Sequence, residues 1–196
     1  LSSEDKDPSF FGRIDEIKLM KEKLEIFRKE NTSQCIVLQG EAGVGKSALI
    51  QHFIKKSVDD STLVLQSYCY QAEENFCLRS WNILLEQLLK TLDKYKIKMS
   101  PAKYQVLSFF FPTLLSEAQV SDVNEMVKLN PVKYGQIIEI ILELLQQAAI
   151  DKKLILILDD IQWADDQSIK LVYELLLRSR SIPIFFILSG RNENLD

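Results

Sequence analysis

A glycine-rich segment that ends in lysine and serine is the first place in this sequence where residue types and spacing predict chemistry. Residues 40–47, here called the phosphate loop, match the pattern G-x-x-x-x-G-K-[ST] in full. Glycines permit positive φ, so backbone N–H groups can point inward at phosphate oxygens, and the helix that follows adds its positive N-terminal dipole. The lysine would reach the β- and γ-phosphates, and the serine hydroxyl would hold Mg²⁺. The expected nucleotide-binding set is Gly40, Glu41, Ala42, Gly43, Val44, Gly45, Lys46, Ser47 and Ala48.

Two adjacent carboxylates follow an aliphatic run at residues 154–158. The run predicts a buried strand, and ligands of open α/β sheets bind at the carboxyl ends of the strands. Because adjacent strand residues face opposite sides, we assign Asp159 to the Mg²⁺ shell and Asp160 to the attacking water, with Asp165 as the next candidate for that water. If this strand lies beside the one before the phosphate loop, Asp159 comes close to the ion held by Ser47. The alternative is a surface turn after a core strand.

Hydrophobic spacing predicts the elements that position these residues. Predicted strands span residues 35–39, 62–68, 154–158 and 184–188, and predicted helices span 12–28, 46–56, 81–92, 137–145 and 166–178. Residues 100–135 contain prolines and predict an irregular helical segment that resembles an insertion. Strands that alternate with helices of this length indicate an α/β fold with a parallel sheet covered on both faces.

Composition limits the function classes. The chain has 196 residues, 46% hydrophobic and 27% charged, which is typical of a globular domain. Its net charge of −4 argues against a nucleic-acid surface, and no apolar run approaches the ~18 residues of a membrane span. Cys35, Cys69 and Cys77 form no CxxC pair, so we expect small buried thiols in a cytoplasmic protein and no cysteine metal site. We expect a linker at residues 1–9, a single domain at 10–196, and a fragment of a larger protein.

Four stretches together resemble the STAND class, the signal-transduction branch of the AAA+-related P-loop ATPases. They are FFGRIDE at residues 10–16, GEAGVGKS at 40–47, LDDIQWAD at 158–165 and ILSGR at 187–191. The third is similar to a form found in bacterial transcriptional activators and in ATPases linked to class III adenylyl cyclases. The order and spacing of the four are more specific than any one of them.

The resemblance implies an AAA+-like P-loop NTPase core that lacks the helical lid, which would follow Arg191. It implies that Phe11, Gly12 and Arg13 line the adenine pocket, largely through backbone contacts. It also implies that Arg191 lies near the γ-phosphate and, with Lys46 and Asp160, forms the catalytic set. From the residues alone, Arg13 can equally be a charge at a helix start and Arg191 a charge in a loop. Trp163 either caps the pocket or packs against the core, and we expect packing.

The guanine-specific Asn-Lys-x-Asp motif is absent from the sequence, which favours ATP or ADP, with Mg²⁺, over guanine nucleotides. The main hypothesis is a slow ATP-operated regulatory switch in a multidomain signalling or transcription-regulatory protein, because an Asp-Asp pair stands where AAA+ motors usually have Asp-Glu. Its partners would be the nucleotide, other domains of the same polypeptide and, in one nucleotide state, further copies. We expect neither nucleic-acid nor membrane binding by this segment.

Two other functions remain open from the sequence. One is a ring-forming AAA+ motor or loader that acts on DNA or protein, with Arg178 or Arg180 reaching a neighbour's site. Cations are also favoured at helix C-termini by the helix dipole alone, which is the simpler explanation of these two arginines. The other function is an interaction scaffold with a relict nucleotide site.

Overall fold

The computed structural model describes residues 12–73, 78–96, 99–114, 134–178 and 182–191. Its strands are β1 (Gln34–Gln39), β2 (Thr62–Tyr68), β3 (Lys153–Asp159) and β4 (Ile184–Gly190). Its helices are α1 (Ile14–Glu30), α2 (Lys46–Ser57), α3 (Arg79–Lys94), α4 (Pro101–Phe110), α5 (Tyr134–Ala148) and α6 (Asp166–Arg178). Every predicted strand and helix is present, with bounds that differ by about three residues at most.

The four strands form one parallel sheet in the order β1-β4-β3-β2. The α/β fold with a parallel sheet is therefore confirmed, but the expectation that the Asp159 strand lies beside the phosphate-loop strand is wrong. β4 lies between them and pairs with β1 on one side and with β3 on the other. Each residue of β4 is buried, as an inner strand requires. The order of strands along the chain carries no information about this placement.

Alternating side chains of β3 enter two separate hydrophobic cores. Leu154, Leu156 and Leu158 pack in a core shared with apolar residues of α3, α4, α5 and α6. Ile155 and Ile157 pack in the opposite core with residues of α1 and α2. Helices therefore cover both faces of the sheet, and the all-aliphatic run of β3 reflects burial on both sides.

The segment predicted to be irregular and helical contains one short helix, α4, among its described residues. Ser100 precedes α4 in an extended conformation and Pro101 occupies its first turn, where a missing N–H costs nothing. Proline thus begins this helix instead of interrupting it. Residues 115–133 of the predicted segment lie outside the described residues, as does the linker expected at 1–9.

The cysteines differ from the expectation at one position. Cys69 is buried, and burial raises the pKa of its thiol to about 12. Cys35 is exposed, so the expectation of a buried thiol is wrong there. It lies on β1, the end strand of the described sheet, where Val37 on the same side is also 49% exposed. Cys77 lies outside the described residues. Within the described part of the chain, no helix has both the length and the apolar character to cross a membrane.

A substitution at Phe185 tests the packing of the core that contacts β1 and β4. Its ring is fully buried, with centroids 5.6 Å from Phe27 and 6.4 Å from Phe53. We expect Phe185→Ala to lower the free energy of unfolding by about 3–5 kcal/mol, measured by urea titration, because it leaves a cavity between two aromatic rings. Tyr173→Ala is the control, since Tyr173 is 59% exposed. Equal losses in the two variants would contradict this account of the core.

Candidate functional site

The phosphate loop connects the end of β1 to the start of α2. The N–H of Gly40 donates to the carbonyl of Gly190, 3.2 Å away, which fixes the start of the loop against the end of β4. Gly43 and Gly45 have φ of 77° and 87°, in the region that side-chain-bearing residues seldom adopt. A Cβ at either glycine would meet no atom within 4 Å, so the backbone conformation and not space requires glycine there.

Lys46, the first residue of α2, is folded back over the phosphate loop. Its Nζ donates to the carbonyl oxygens of Gly40 at 2.9 Å and Glu41 at 3.0 Å, and the residue is only 6% exposed. Its ammonium group is therefore held at the loop by neutral acceptors. An anionic phosphate oxygen is a stronger acceptor than a carbonyl, so a bound phosphate can compete for this group.

Arg13 connects the start of α1 to the same loop. It has φ of 53° and precedes the first residue of α1, and its guanidinium donates to the carbonyl of Val44. The resemblance implied an adenine contact made mainly by backbone; the described contact is instead between this side chain and the loop. Gly12 is exposed with φ of 88°, and Phe11 lies outside the described residues. The adenine role of these three residues stays a prediction.

A cavity of about 300 Å³ brings together residues that are far apart in sequence. Its lining residues are Ala42, Gly43, Gly45, Lys46, Ser47, Ala48, Asp160 and Arg191. The phosphate loop and the start of α2 form one wall, while Asp160 and Arg191 come from the carboxyl ends of β3 and β4. Lys46 and Arg191 thus bring two cations to a cavity of the size that small-molecule sites have.

Asp159 and Asp160 occupy different environments although they are adjacent. Asp159 is fully buried and accepts a hydrogen bond from Ser189 Oγ at one carboxylate oxygen. Its other oxygen, Oδ2, is buried, and the described residues give it no hydrogen-bond partner. Asp160 takes a left-handed conformation with φ of 59° and lines the cavity. Left-handed backbone at a residue with a side chain is strained and often marks functional positions.

Ser189 holds both aspartates, and sequence analysis did not single it out. Its hydroxyl donates to Asp159 and accepts from the backbone N–H of Asp160 at 3.1 Å. The residue is fully buried at the end of an otherwise apolar strand. One hydroxyl in such a strand is the signal that was available, because a buried polar group needs a partner.

The turn after Asp160 links that residue to Arg191. Gln162 Nε2 donates to Asp160 Oδ1 at 3.1 Å, and Gln162 Oε1 accepts from the backbone N–H of Arg191 at 3.2 Å. The guanidinium carbon of Arg191 lies 5.5 Å from the centroid of the Trp163 ring. Trp163 is half-buried and packs against the core as expected, but it also supports Arg191.

Asp165 has a structural role in the described chain. Its Oδ1 accepts from the N–H of Ser168 at 3.0 Å, which caps α6. Its Oδ2 accepts from Ser168 Oγ at 2.6 Å and from the N–H of Leu78 at 3.0 Å, just before α3. Both carboxylate oxygens are thus occupied in holding two helix starts. The second candidate for orienting water is already committed to other hydrogen bonds.

Of the two arginines considered as candidates to reach a neighbouring copy's site, only Arg178 lies within the described residues. Arg178 forms ion pairs within the chain, to Glu139 at 2.7 Å and to Glu174 at 3.0 Å. The Glu174 pair joins successive turns of α6 at its C-terminal end, where cations are favoured. Arg180 lies outside the described residues.

The oxygen groups near the cavity fit Mg²⁺ better than a metal held by protein ligands alone. No group of three or more His, Cys, Asp or Glu side chains that could hold a metal occurs among the described residues. Mg²⁺ typically keeps several waters and uses one or two carboxylates together with substrate phosphates. The hydroxyl of Ser47, which lines the cavity, and the unpartnered Oδ2 of Asp159, which is buried and not part of the cavity lining, are metal ligands of the right chemical type.

Comparison with protein families gives one match that covers most of the chain. The family model described as the AAA ATPase domain matches residues 9–187. The chain belongs to this AAA ATPase domain family. Membership agrees with the parallel sheet and supports a P-loop domain that binds nucleotide. Comparison with curated proteins gives no match.

The shared helix cap at Asp165 gives a stability prediction. We expect Asp165→Ala to lower the free energy of unfolding by about 1–4 kcal/mol, measured by urea titration, because α6 loses its N-cap, worth about 0.5–2 kcal/mol, and the N–H of Leu78 loses its acceptor, worth about 0.5–2 kcal/mol. Asp166→Ala is the matched control: the neighbouring carboxylate is exposed in the first turn of α6. A loss in Asp165→Ala no greater than in Asp166→Ala would contradict the capping role.

Proposed function

We propose that this domain binds ATP with Mg²⁺, hydrolyses it slowly, and acts as a regulatory switch in a multidomain signalling or transcription-regulatory protein of the STAND class. The observation that carries the proposal is the cavity where the phosphate loop faces Asp160 and Arg191. Family membership supports the ATPase part. The STAND-like order of four motifs and the Asp-Asp pair support the slow switch.

Nucleotide binding would use the phosphate loop. Backbone N–H groups between Gly40 and Ser47 and the N-terminus of α2 would surround the phosphates. Lys46 would exchange its two carbonyl acceptors, on Gly40 and Glu41, for phosphate oxygens. Arg13 would hold the loop through the carbonyl of Val44. The absence of the guanine-specific motif supports ATP or ADP as the ligand.

Hydrolysis would use the opposite wall of the cavity. Ser47 and Asp159 would hold Mg²⁺, which would supply positive charge to the phosphate oxygens. Asp160 would orient the attacking water toward the γ-phosphate and accept its proton. Arg191 would stabilise the charge that develops on the transferred group. Because Gln162 already binds one oxygen of Asp160, that carboxylate is held in place before any water arrives.

A ring-forming motor receives less support than a switch. Such a machine needs an arginine that reaches the site of a neighbouring copy; of the two candidates, Arg178 pairs with Glu139 and Glu174 of its own chain, and Arg180 lies outside the described residues. We therefore propose other domains of the same polypeptide as the main partners, with self-association as a consequence of nucleotide state.

Lys46→Ala tests the nucleotide site. We expect wild-type protein to bind ATP in preference to GTP, and Lys46→Ala to weaken ATP binding by about 100-fold or more, because charge-assisted hydrogen bonds to phosphate are lost. Binding is measured by isothermal titration calorimetry. Lys56→Ala is the matched control, since Lys56 is exposed on the same helix. Equal binding of ATP and GTP, or unaltered affinity in Lys46→Ala, would contradict the proposal.

Asp160→Asn separates binding from hydrolysis. The amide keeps the size of the side chain but is a poor base, so we expect unaltered ATP affinity and a kcat lower by about 10²–10⁴-fold. The rate of phosphate release by the purified protein gives kcat. Asp166→Asn is the control, because Asp166 is an exposed carboxylate on α6. Wild-type turnover in Asp160→Asn would show that another group orients the water.

A further inference from the structure

The turn that follows β3 contains two residues whose contacts with Arg191 the proposed function does not require. Trp163 lies under the guanidinium of Arg191, and Gln162 binds the backbone N–H of the same arginine. Arg191 at the same time lines the cavity. The arginine is therefore held at the cavity wall from two sides, at its backbone and at its charged group.

We propose that Gln162 and Trp163 are positioning residues that hold Arg191 against the cavity and so give the site its preference for a nucleoside triphosphate over a diphosphate. The inference rests on the proposed nucleotide site and deepens it. Loop N–H groups and Lys46 act on phosphates that lie in the phosphate loop. Arg191 lines the cavity from the end of β4, and we place the additional phosphate of a triphosphate beside it.

The Trp163 ring restricts the movement of a flexible side chain. An arginine that is free in solvent has many rotamers, and the entropy lost when it is ordered on binding weakens affinity. The face of an indole attracts a guanidinium, by about 0.5–2 kcal/mol depending on exposure. A guanidinium that already rests on the ring at the cavity has lost part of its conformational entropy before the ligand binds, so less is lost on binding.

Gln162 holds the backbone of Arg191, and the chemistry of its two partners determines which way its side-chain amide points. A carboxylate oxygen of Asp160 can only accept, and the N–H of Arg191 can only donate. The amide therefore must present its NH₂ to Asp160 and its oxygen to Arg191, as the 3.1 and 3.2 Å contacts show. The end of β4 is thereby connected to the water-orienting carboxylate as well as to the Trp163 turn.

Trp163→Leu tests the proposal through nucleotide selectivity. With Mg²⁺ present, we expect the Kd for ATPγS to rise by roughly twofold to thirtyfold while the Kd for ADP is unaltered, because only the additional phosphate needs Arg191. Trp163→Phe retains an aromatic face and should keep most of the ATPγS affinity. The control is Tyr173→Leu, an exposed aromatic on α6 away from the cavity. Isothermal titration calorimetry gives both constants, and thermal unfolding shows that each variant is folded.

Two further variants test whether the effect of Trp163 on affinity acts through Arg191. In an Arg191→Gln background, Trp163→Leu should cause no additional loss of ATPγS affinity, since its effect acts through the arginine. Gln162→Met, which keeps side-chain length but loses both hydrogen bonds, should also lower ATPγS affinity selectively and serves if Trp163→Leu does not fold.

The outcomes separate the inference from the proposed function. Equal weakening of ATPγS and ADP in Trp163→Leu, or a further loss in the Arg191→Gln background, would overturn the inference and leave the nucleotide site intact. Unaltered selectivity in both Trp163→Leu and Gln162→Met would do the same. Wild-type protein that binds neither nucleotide would overturn the proposed function and the inference with it.

Discussion

β4 is hydrogen-bonded to β1 on one side and to β3 on the other, and the candidate site depends on that arrangement. Parallel strands end at the same edge of a sheet, so the phosphate loop, the two aspartates and Arg191 all emerge there. Neighbouring strands lie about 4.8 Å apart, which separates β1 from β3 by roughly 10 Å. This spacing leaves room for phosphate groups between the loop and Asp160, and it brings Arg191 from the strand in the middle.

Three charged side chains that line the cavity are held by partners without charge. Lys46 is bound by carbonyls of its own loop, Asp160 by Gln162, and Arg191 by the Trp163 ring. Each of these three groups therefore has a neutral partner at the cavity wall. A ligand with negative charge can displace or supplement these partners one at a time.

The elements of the fold were predictable because their signals are local. Alternation of Leu and Ile in β3 and the apolar run of β4 indicate burial on both faces, and the structure shows two cores that receive those side chains. The position of β4 between β1 and β3 was not predictable, since every inner strand of a parallel sheet has the same apolar pattern. Cys35 was misjudged for a related reason: its exposure depends on β1 being the end strand of the described sheet.

In the candidate site, too, the local features were predictable from the sequence and the contacts between distant residues were not. The phosphate loop is a contiguous motif whose glycines determine their own backbone, and the structure has the positive φ that the motif requires at Gly43 and Gly45. The hydrogen bonds of Ser189 to Asp160 and of Gln162 to Arg191 each join residues that are 29 positions apart. Spacing in one sequence gives no partner for a serine or a glutamine at such a distance. The left-handed backbone of Asp160 was likewise not evident, because aspartate occurs in many conformations.

The carboxylate of Asp165 serves two helices at once, and this has a mechanical consequence. A helix end that has its own cap frays independently of its neighbours. The first turns of α3 and α6 share this anchor and are also joined by hydrogen bonds from Ser80 and Trp81 to Ser168, so loosening one helix end would remove restraints from the other. Since that anchor lies two residues beyond Trp163, a shift of the turn beside the cavity would act on the starts of both helices together.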